Sequence, residues 1–157
     1  MKKNIFILLF CGLFSSSTLA FEFNNFNGSS SKLENHLGKG KWTLLMLWAH
    51  DCGVCRAEFP SISDFHQTRK DVEVIGLSID GEDKKDLAQS FLDSTKSSFT
   101  NYITSLSVVA ANYNVLTQEN FRGTPTFLLF SPDGELIGNN PGKLSIEALE
   151  SFIDKNS

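Results

Sequence analysis

The chain has few cysteines and no excess of positive charge, and both features narrow its possible functions. Its 157 residues contain three Cys, and 14 Lys and Arg against 18 Asp and Glu give a formal net charge of −4. A small domain held together by disulfides needs more cysteines than this. An acidic chain without a Lys/Arg cluster is also a poor candidate for binding nucleic acid or an anionic membrane. We therefore expect neither a disulfide-stapled domain nor a nucleic-acid-binding protein.

Repeats and additional metal-ligand motifs are also missing from the sequence. No self-similar period of 20–50 residues is present, which argues against a repeat architecture. There is no second CxxC and no HxxxH, and neither His36 nor His66 has a partner at metal-binding spacing. We therefore predict no metal and no other cofactor. The 14 Phe residues and the 41% hydrophobic content are sufficient for one globular core.

The N-terminus has the layout of a secretory signal peptide. Lys2 and Lys3 precede an apolar run over 5–14, and small residues follow as far as Ala20. This pattern predicts a signal peptide cleaved after Ala20. The apolar run is too short to span a bilayer comfortably, so an uncleaved membrane anchor is the alternative rather than the first expectation.

Cleavage would leave residues 21–157 as one exported domain. Losing two lysines and no acidic residue would change the net charge from −4 to −6. Two cysteines would remain, Cys52 and Cys55. A single closely spaced pair in an exported protein is too little for a structural framework and requires another explanation.

Apolar runs alternate with helical patterns along the rest of the chain. Two continuous apolar runs predict strands buried on both faces, and a third run is followed by a turn at Ser131–Gly134 and a hairpin partner. Amphipathic spacing and capping residues predict three helices. The predicted strands cover 42–49, 72–79, 126–130 and 135–138, and the helices start near Val54, Asp83 and Ser145.

Two segments have weaker patterns. In the polar lead-in over 21–40, Ser31 is predicted to cap a short helical turn that ends at Gly38. Within 93–121 only a helix over 106–113 is indicated. The resulting order of strands and helices, β-α-β-α, an insert, then β-β-α, predicts an α/β layered sandwich.

The sequence Cys52-Gly53-Val54-Cys55 lies where a buried strand is predicted to turn into a helix. A thiolate at a helix N-terminus is stabilised by unpaired N–H groups and by the positive end of the helix dipole. A second sulfur three residues later can resolve a mixed disulfide. We therefore expect Cys52 to attack and Cys55 to resolve. A zinc site would need two more ligands, and a purely structural bridge over so small a loop would constrain the unfolded chain little.

The segment from Trp48 to Pro60, WAHDCGVCRAEFP, resembles the active-site segment of thioredoxin-fold proteins, and it is most similar to the exported TlpA/ResA-like thiol-disulfide oxidoreductases. The loop 123–126 (GTPT) and the hairpin 131–138 support this resemblance, which covers about residues 22–155. It implies a thioredoxin-like three-layer sandwich, with a central mixed sheet flanked by helices and an insert before the cis-proline loop.

The resemblance also implies roles for single residues. A cis bond between Thr124 and Pro125 would place the backbone of Thr124 beside Cys52, where it could bind a client peptide. Trp48 is expected to brace the active-site loop. Met46 occupies the position of the buried acid of thioredoxin, and Glu82, after the second strand, matches an acid of the TlpA/ResA-like proteins. One hypothesis is that Glu82 is a buried carboxyl with a raised pKa that accepts the proton of Cys55. The alternative is a solvated acid at the start of a helix, where its charge suits the helix dipole.

His50 and Asp51 replace the small or aromatic residues that are usual before CxxC. A protonated His50 would stabilise the Cys52 thiolate, whereas Asp51 would oppose it. The alternative for both is that they are ordinary exposed residues at the rim of the site.

The predicted function is that of a periplasmic or otherwise exported thiol-disulfide oxidoreductase, most consistent with a monomeric reductase of envelope proteins. The resemblance implies clients with disulfides or dithiols, with apocytochrome c as one example, and a membrane thiol electron donor of the DsbD/CcdA type. A DsbA-like disulfide donor and a thiol-based copper carrier remain alternatives. A peroxidase is disfavoured because Ala49 stands where peroxiredoxins have a Thr or Ser three residues before the cysteine.

Overall fold

A computed structural model describes residues 21–157, which form seven β-strands, four α-helices and two short 3-10 helices. The predicted signal peptide, residues 1–20, lies outside the described residues. The strands are β1 (Glu22–Asn25), β2 (Ser30–Lys32), β3 (Trp42–Trp48), β4 (Val72–Ser78), β5 (Thr100–Ile103), β6 (Thr126–Phe130) and β7 (Leu136–Pro141). The helices are α1 (Gly53–Thr68), α2 (Lys85–Thr95), α3 (Leu106–Thr117) and α4 (Ile146–Asn156), and the 3-10 helices are Leu33–His36 and Glu82–Lys84.

The strands form one mixed sheet in the order β2-β1-β5-β4-β3-β6-β7. The central strand β3 runs parallel to β4 and antiparallel to β6. Trp48 at the end of β3 is opposite Ser78 of β4, and Leu47 is opposite Thr126 of β6. The end of β3, the end of β4 and the start of β6 therefore meet at one edge of the sheet, where β3 leads into the Cys52 turn.

Helices cover both faces of this sheet. Leu44 and Met46 of β3 belong to an apolar cluster that includes Phe59 of α1 and residues of α2 and α4. Leu45 and Leu47 of β3 belong to a second cluster, which includes Tyr113 of α3. Successive side chains of a strand point to opposite faces, and all seven residues of β3 are buried. The predicted three-layer α/β sandwich of thioredoxin type is confirmed.

The structure adds three strands that the sequence patterns did not predict. Two of them, β1 and β2, form an antiparallel edge pair in the polar lead-in. The short helical turn expected before Gly38 is present, but the expectation that Ser31 caps it is wrong. Ser31 lies in β2, and a 3-10 helix starts at Leu33 without a side-chain cap. The third strand, β5, pairs with β4 in parallel. The segment between β4 and β6, where the resemblance implied an insert, contains α2, β5 and α3.

Gly76 of β4 leaves space for the side chain of Asn101, which bonds Trp48 at the end of β3. A Cβ atom at residue 76 would overlap the side-chain amide of Asn101 and the ring of Phe99. The Oδ1 of Asn101 accepts a hydrogen bond of 3.0 Å from Nε1 of Trp48. Because Trp48 is fully buried, this bond satisfies a polar atom that water cannot reach.

Candidate active site

The two cysteines lie where β3 passes into α1. The backbone N–H of Cys52 donates to the carbonyl of Ala49 at 3.2 Å, which closes a tight turn with His50 and Asp51 at its centre. Helix α1 then begins at Gly53. Cys52 is its N-cap, and Sγ of Cys52 accepts a hydrogen bond of 3.0 Å from the backbone N–H of Cys55. The sulfur of Cys52 therefore lies at the positive end of the helix dipole.

Cys52 and Cys55 are joined by a disulfide, with their Cα atoms 5.2 Å apart. Cys52 is half-buried, whereas Cys55 is fully buried in the cluster that contains Met46 and Phe59. A thiol or a client disulfide can therefore reach Cys52 far more easily than Cys55. The arrangement is suited to thiol-disulfide exchange that starts at Cys52, with the second sulfur held within bonding range.

The Thr124–Pro125 peptide bond is cis, as the resemblance implied. The carbonyl of Pro125 accepts a hydrogen bond of 2.8 Å from the backbone of Gly142, and the carbonyl of Gly123 accepts one from the hydroxyl of Thr126 at 2.7 Å. These bonds fix the loop on both sides of Thr124, which is half-buried. Since Thr126 is opposite Leu47, the loop lies at the same edge of the sheet as the Cys52 turn.

Trp48 is a packing residue beneath the site. Its ring stacks on Phe91 of α2 at a centroid distance of 4.7 Å and meets Phe59 of α1 edge-on at 5.4 Å. Its indole N–H is bonded to Asn101. Trp48 thus connects the strand that precedes the cysteines to two helices and to β5, which is consistent with the expected bracing position.

The environment of Glu82 differs from the one expected. Its side chain is 57% exposed, and its carboxylate accepts hydrogen bonds from Asn24 at 3.3 Å and from Lys85 at 3.2 Å. The Lys85 bond, and then the Asn24 bond, lower the pKa of Glu82 below its usual value. The prediction of a buried carboxyl with a raised pKa is corrected, because the 3-10 helix Glu82–Lys84 places this residue at the surface.

Asp80 is the acid that the structure places at the site and that the sequence patterns missed. Its side chain is only 4% exposed. Oδ2 accepts hydrogen bonds from the backbone N–H of His50 at 2.9 Å and from the hydroxyl of Ser78 at 2.6 Å, and Oδ1 lies 2.6 Å from Nδ1 of His50. The sequence did contain a signal for this residue. Asp80 directly follows the second buried strand, and because the carboxyl ends of adjacent parallel strands meet at one edge of the sheet, an acid there is expected to lie near the turn that follows β3.

Side chains that could hold a metal ion converge at the same place. One ligand atom each from His50, Asp51 and Asp80 lies within 4.8 Å of the others, and this is the only such group within residues 21–157. Both oxygens of Asp80, however, already accept hydrogen bonds, and Asp51 is exposed. The three residues are therefore best described as a histidine held by a buried carboxylate, with a second carboxylate at the rim.

The fold and the paired cysteines define a thioredoxin-fold protein with a redox-capable CxxC site. Residues 16–138 match the AhpC/TSA family, which is more than half of the chain. The protein therefore belongs to the AhpC/TSA family.

Individual relatives agree with this assignment. The chain is 26% identical over 120 residues to thiol-disulfide oxidoreductase ResA of Oceanobacillus iheyensis, which covers 74% of this chain and 57% of that protein. It is 31% identical over 104 residues to the soluble secreted antigen MPT53 of Mycobacterium bovis, which covers 66% and 56%. The expected resemblance to ResA-like proteins is confirmed. The chain spans little more than half the length of these two relatives.

A solved structure shares the architecture over nearly its whole length. A secreted disulfide oxidoreductase of Mycobacterium tuberculosis, described as homologous to E. coli DsbE, superposes with a TM-score of 0.67 at 25% identity. The match covers 87% of this chain and 96% of that one. Between residues 21 and 157, no helix combines the length and the apolar character that crossing a membrane requires.

Proposed function

We propose that this protein is a thiol-disulfide oxidoreductase that exchanges disulfides with protein clients through Cys52 and Cys55. The observation that carries this proposal is the asymmetry of the pair. Cys52 caps α1 with its sulfur on a backbone N–H and is accessible, whereas Cys55 is buried one helical turn behind it. The named activities of the ResA and DsbE-like relatives agree with this chemistry.

In the reducing direction the thiolate of Cys52 attacks one sulfur of a client disulfide. The other client sulfur leaves as a thiolate, and a mixed disulfide joins the client to Cys52. Cys55 then loses its proton and attacks Sγ of Cys52, which releases the second client sulfur. The client gains two electrons, and the protein loses two electrons as the Cys52–Cys55 disulfide forms. The backbone of Thr124 in the cis-proline loop is the proposed docking strand for the client.

We further propose that the protein is exported, that it acts as a reductase, and that a membrane thiol donor keeps it reduced. Export is supported by the signal-peptide pattern at residues 1–20 and by relatives described as secreted. An exported reductase must be reduced again, and we assign this to a membrane thiol donor of the DsbD/CcdA type. Its clients would be envelope proteins, with apocytochrome c as one example, and it would act as a monomer.

Reduction of insulin disulfides by dithiothreitol tests the activity, because the freed B chain precipitates and the turbidity can be followed. The wild-type protein is expected to accelerate precipitation, and Cys52→Ser is expected to abolish the acceleration. Cys11→Ser, made in the uncleaved full-length chain that retains Cys11, is the matched control and should leave the rate unchanged, since Cys11 lies in the predicted signal peptide. Consumption of hydrogen peroxide with no effect on insulin would instead identify a peroxidase.

The reduction potential of the Cys52/Cys55 pair tests the direction. A potential below about −220 mV, towards the thioredoxin range, supports a reductase that depends on an upstream donor. A potential of about −120 mV, as in DsbA, would make the protein a disulfide donor and overturn the proposed direction.

A further inference from the structure

We propose that Asp80 is a positioning residue that acts through His50: it fixes the imidazole of His50 in the turn before Cys52 and thereby favours the thiolate form of that cysteine. This inference rests on the proposed function, since it concerns the reactivity of the attacking cysteine. It assigns a role to a buried acid whose hydrogen bonds, within residues 21–157, go to His50 and Ser78 and to neither cysteine.

The hydrogen bonds determine which nitrogen of His50 carries the proton. A carboxylate accepts hydrogen bonds and cannot donate them, so Nδ1 of His50 must be protonated where it lies 2.6 Å from Oδ1 of Asp80. Nε2 is the ring nitrogen that Asp80 does not bond. Because the side chain of Asp80 is 4% exposed and that of His50 is 20% exposed, water screens this pair only weakly.

The same carboxylate also holds the backbone of His50. Oδ2 of Asp80 accepts the backbone N–H of His50, so one residue holds both the main chain and the side chain of His50. His50 lies inside the turn that ends at Cys52. A positive imidazolium beside a developing thiolate lowers the pKa of the thiol, and the buried carboxylate stabilises that positive charge.

Ser78 in turn holds Asp80. Its hydroxyl donates to Oδ2 at 2.6 Å, and Ser78 is fully buried at the end of β4, opposite Trp48. Hydrogen bonds therefore connect the end of β4 to the turn before Cys52 through two buried polar side chains, Ser78 and Asp80. An Asp at the surface with the same formal charge would not restrict the ring in this way.

Other charged groups face this region from each neighbouring element. Asp83 and Lys84 of the 3-10 helix line a groove together with Asp51 and Asp80. Arg56 lies in the first turn of α1, with its guanidinium over the ring of Phe91. The first turn of α1 contains no acidic residue. Of these groups, Asp51 lies close enough to His50 and Asp80 to share one site, and it is exposed. Asp51 is therefore the matched control carboxylate, near the ring but without a hydrogen bond to it.

The test measures how fast iodoacetamide alkylates Cys52 in the reduced full-length protein as a function of pH, with the modified peptide identified by mass spectrometry. Direct electrostatics alone predicts that removing a nearby negative charge makes the thiolate easier to form. The proposal predicts the opposite sign for Asp80→Asn, with alkylation at pH 7 at least about threefold slower and the midpoint of the profile at higher pH. Asp51→Asn should leave the rate unchanged or increase it.

The double variant shows whether Asp80 acts through His50. His50→Asn keeps a side-chain donor for Asp80 but cannot become positively charged, and alkylation at pH 7 is expected to fall about tenfold. In the His50→Asn background, Asp80→Asn should cause no further loss. Equal losses from Asp80→Asn with and without His50, or faster alkylation in the Asp80→Asn single variant, would overturn the proposal.

A second variant keeps the test valid if Asp80→Asn does not fold. Ser78→Ala removes one hydrogen bond from Asp80 and leaves both charges, and it should shift the profile in the same direction by a smaller amount. If the pH profile of Cys52 alkylation were unchanged in both Ser78→Ala and His50→Asn, the proposed role of Asp80 and His50 would be rejected. Failure of the proposed function has a different signature, because Cys52 would then react no faster than a free cysteine in the wild-type protein.

Discussion

The sulfur of Cys52 accepts a hydrogen bond of 3.0 Å from the backbone N–H of Cys55, so the residue that resolves the disulfide also donates to the residue that attacks. Cys55 has no exposed surface, while Cys52 is half-buried. The start of α1 thus leaves the sulfur of Cys52 accessible and buries that of Cys55, although the two side chains are chemically identical. This difference is the basis of the proposed order of events at the site.

Glu82→Gln tests the proton-transfer role that the sequence suggested for this acid. The carboxylate is exposed and bonded to Asn24 and Lys85, so we expect insulin reduction to change by less than twofold. Glu135→Gln, at another exposed acid in the turn before β7, is the control for loss of one surface charge. A reproducible slowing in Glu82→Gln alone would restore a role for this carboxylate in the exchange.

Gly76→Ala is expected to destabilise the fold at the support of the active site. The added methyl group would overlap the Asn101 amide that bonds Trp48, and overpacking of this kind costs about 1–3 kcal/mol. Chemical denaturation with urea measures the loss. Gly138→Ala in β7 is the matched control because nothing lies within 4 Å of its added Cβ. Equal effects of the two substitutions would contradict the tight packing described at Gly76.

His66 should make the stability depend on pH. Burial, followed by the positive charge of Lys70, lowers the pKa of His66, and its Nδ1 is buried with no hydrogen-bond partner among residues 21–157. The unfolded chain therefore binds a proton more readily at this residue than the folded chain does. The corresponding stability is present above the unfolded pKa of about 6.5 and is lost as the pH falls.

The thermal midpoint of the wild type should accordingly fall more steeply between pH 7 and pH 5.5 than that of His66→Gln, which carries no titrating ring. Measuring both proteins in the same buffers removes the contribution of the other titrating groups. Parallel curves for the two proteins would show that His66 contributes nothing to the acid response.

The strands around the site were predictable because burial on both faces leaves an unbroken apolar run, as in Trp42–Ala49 and Val72–Ile79. The short strands β1, β2 and β5 were missed because polar residues occupy most of their positions and their pairing, not their composition, makes them strands. The position of the site was also predictable, because the CxxC motif closely follows the apolar run that forms β3.

The polar support of the site was harder to predict. Asp80 and Glu82 are two residues apart, and both follow the same buried strand. Only the backbone path decides which of them turns inward, with Gly81 at a φ of 77° between them. The inward acid is Asp80, and its partner His50 is thirty residues away in the chain. The sequence pattern predicts neither the backbone turn at Gly81 nor the contact between Asp80 and His50.

The most direct test of the account is to trap the mixed disulfide with Cys55→Ser. In this variant Cys52 can attack a client disulfide, but no second thiol can release the client. Incubation of the reduced variant with insulin, followed by peptide mapping without reductant, should identify insulin bound through Cys52. Cys52→Ser, which keeps Cys55, should trap none. Insulin attached through Cys55, or no adduct in Cys55→Ser, would contradict the assignment of Cys52 as the attacking residue.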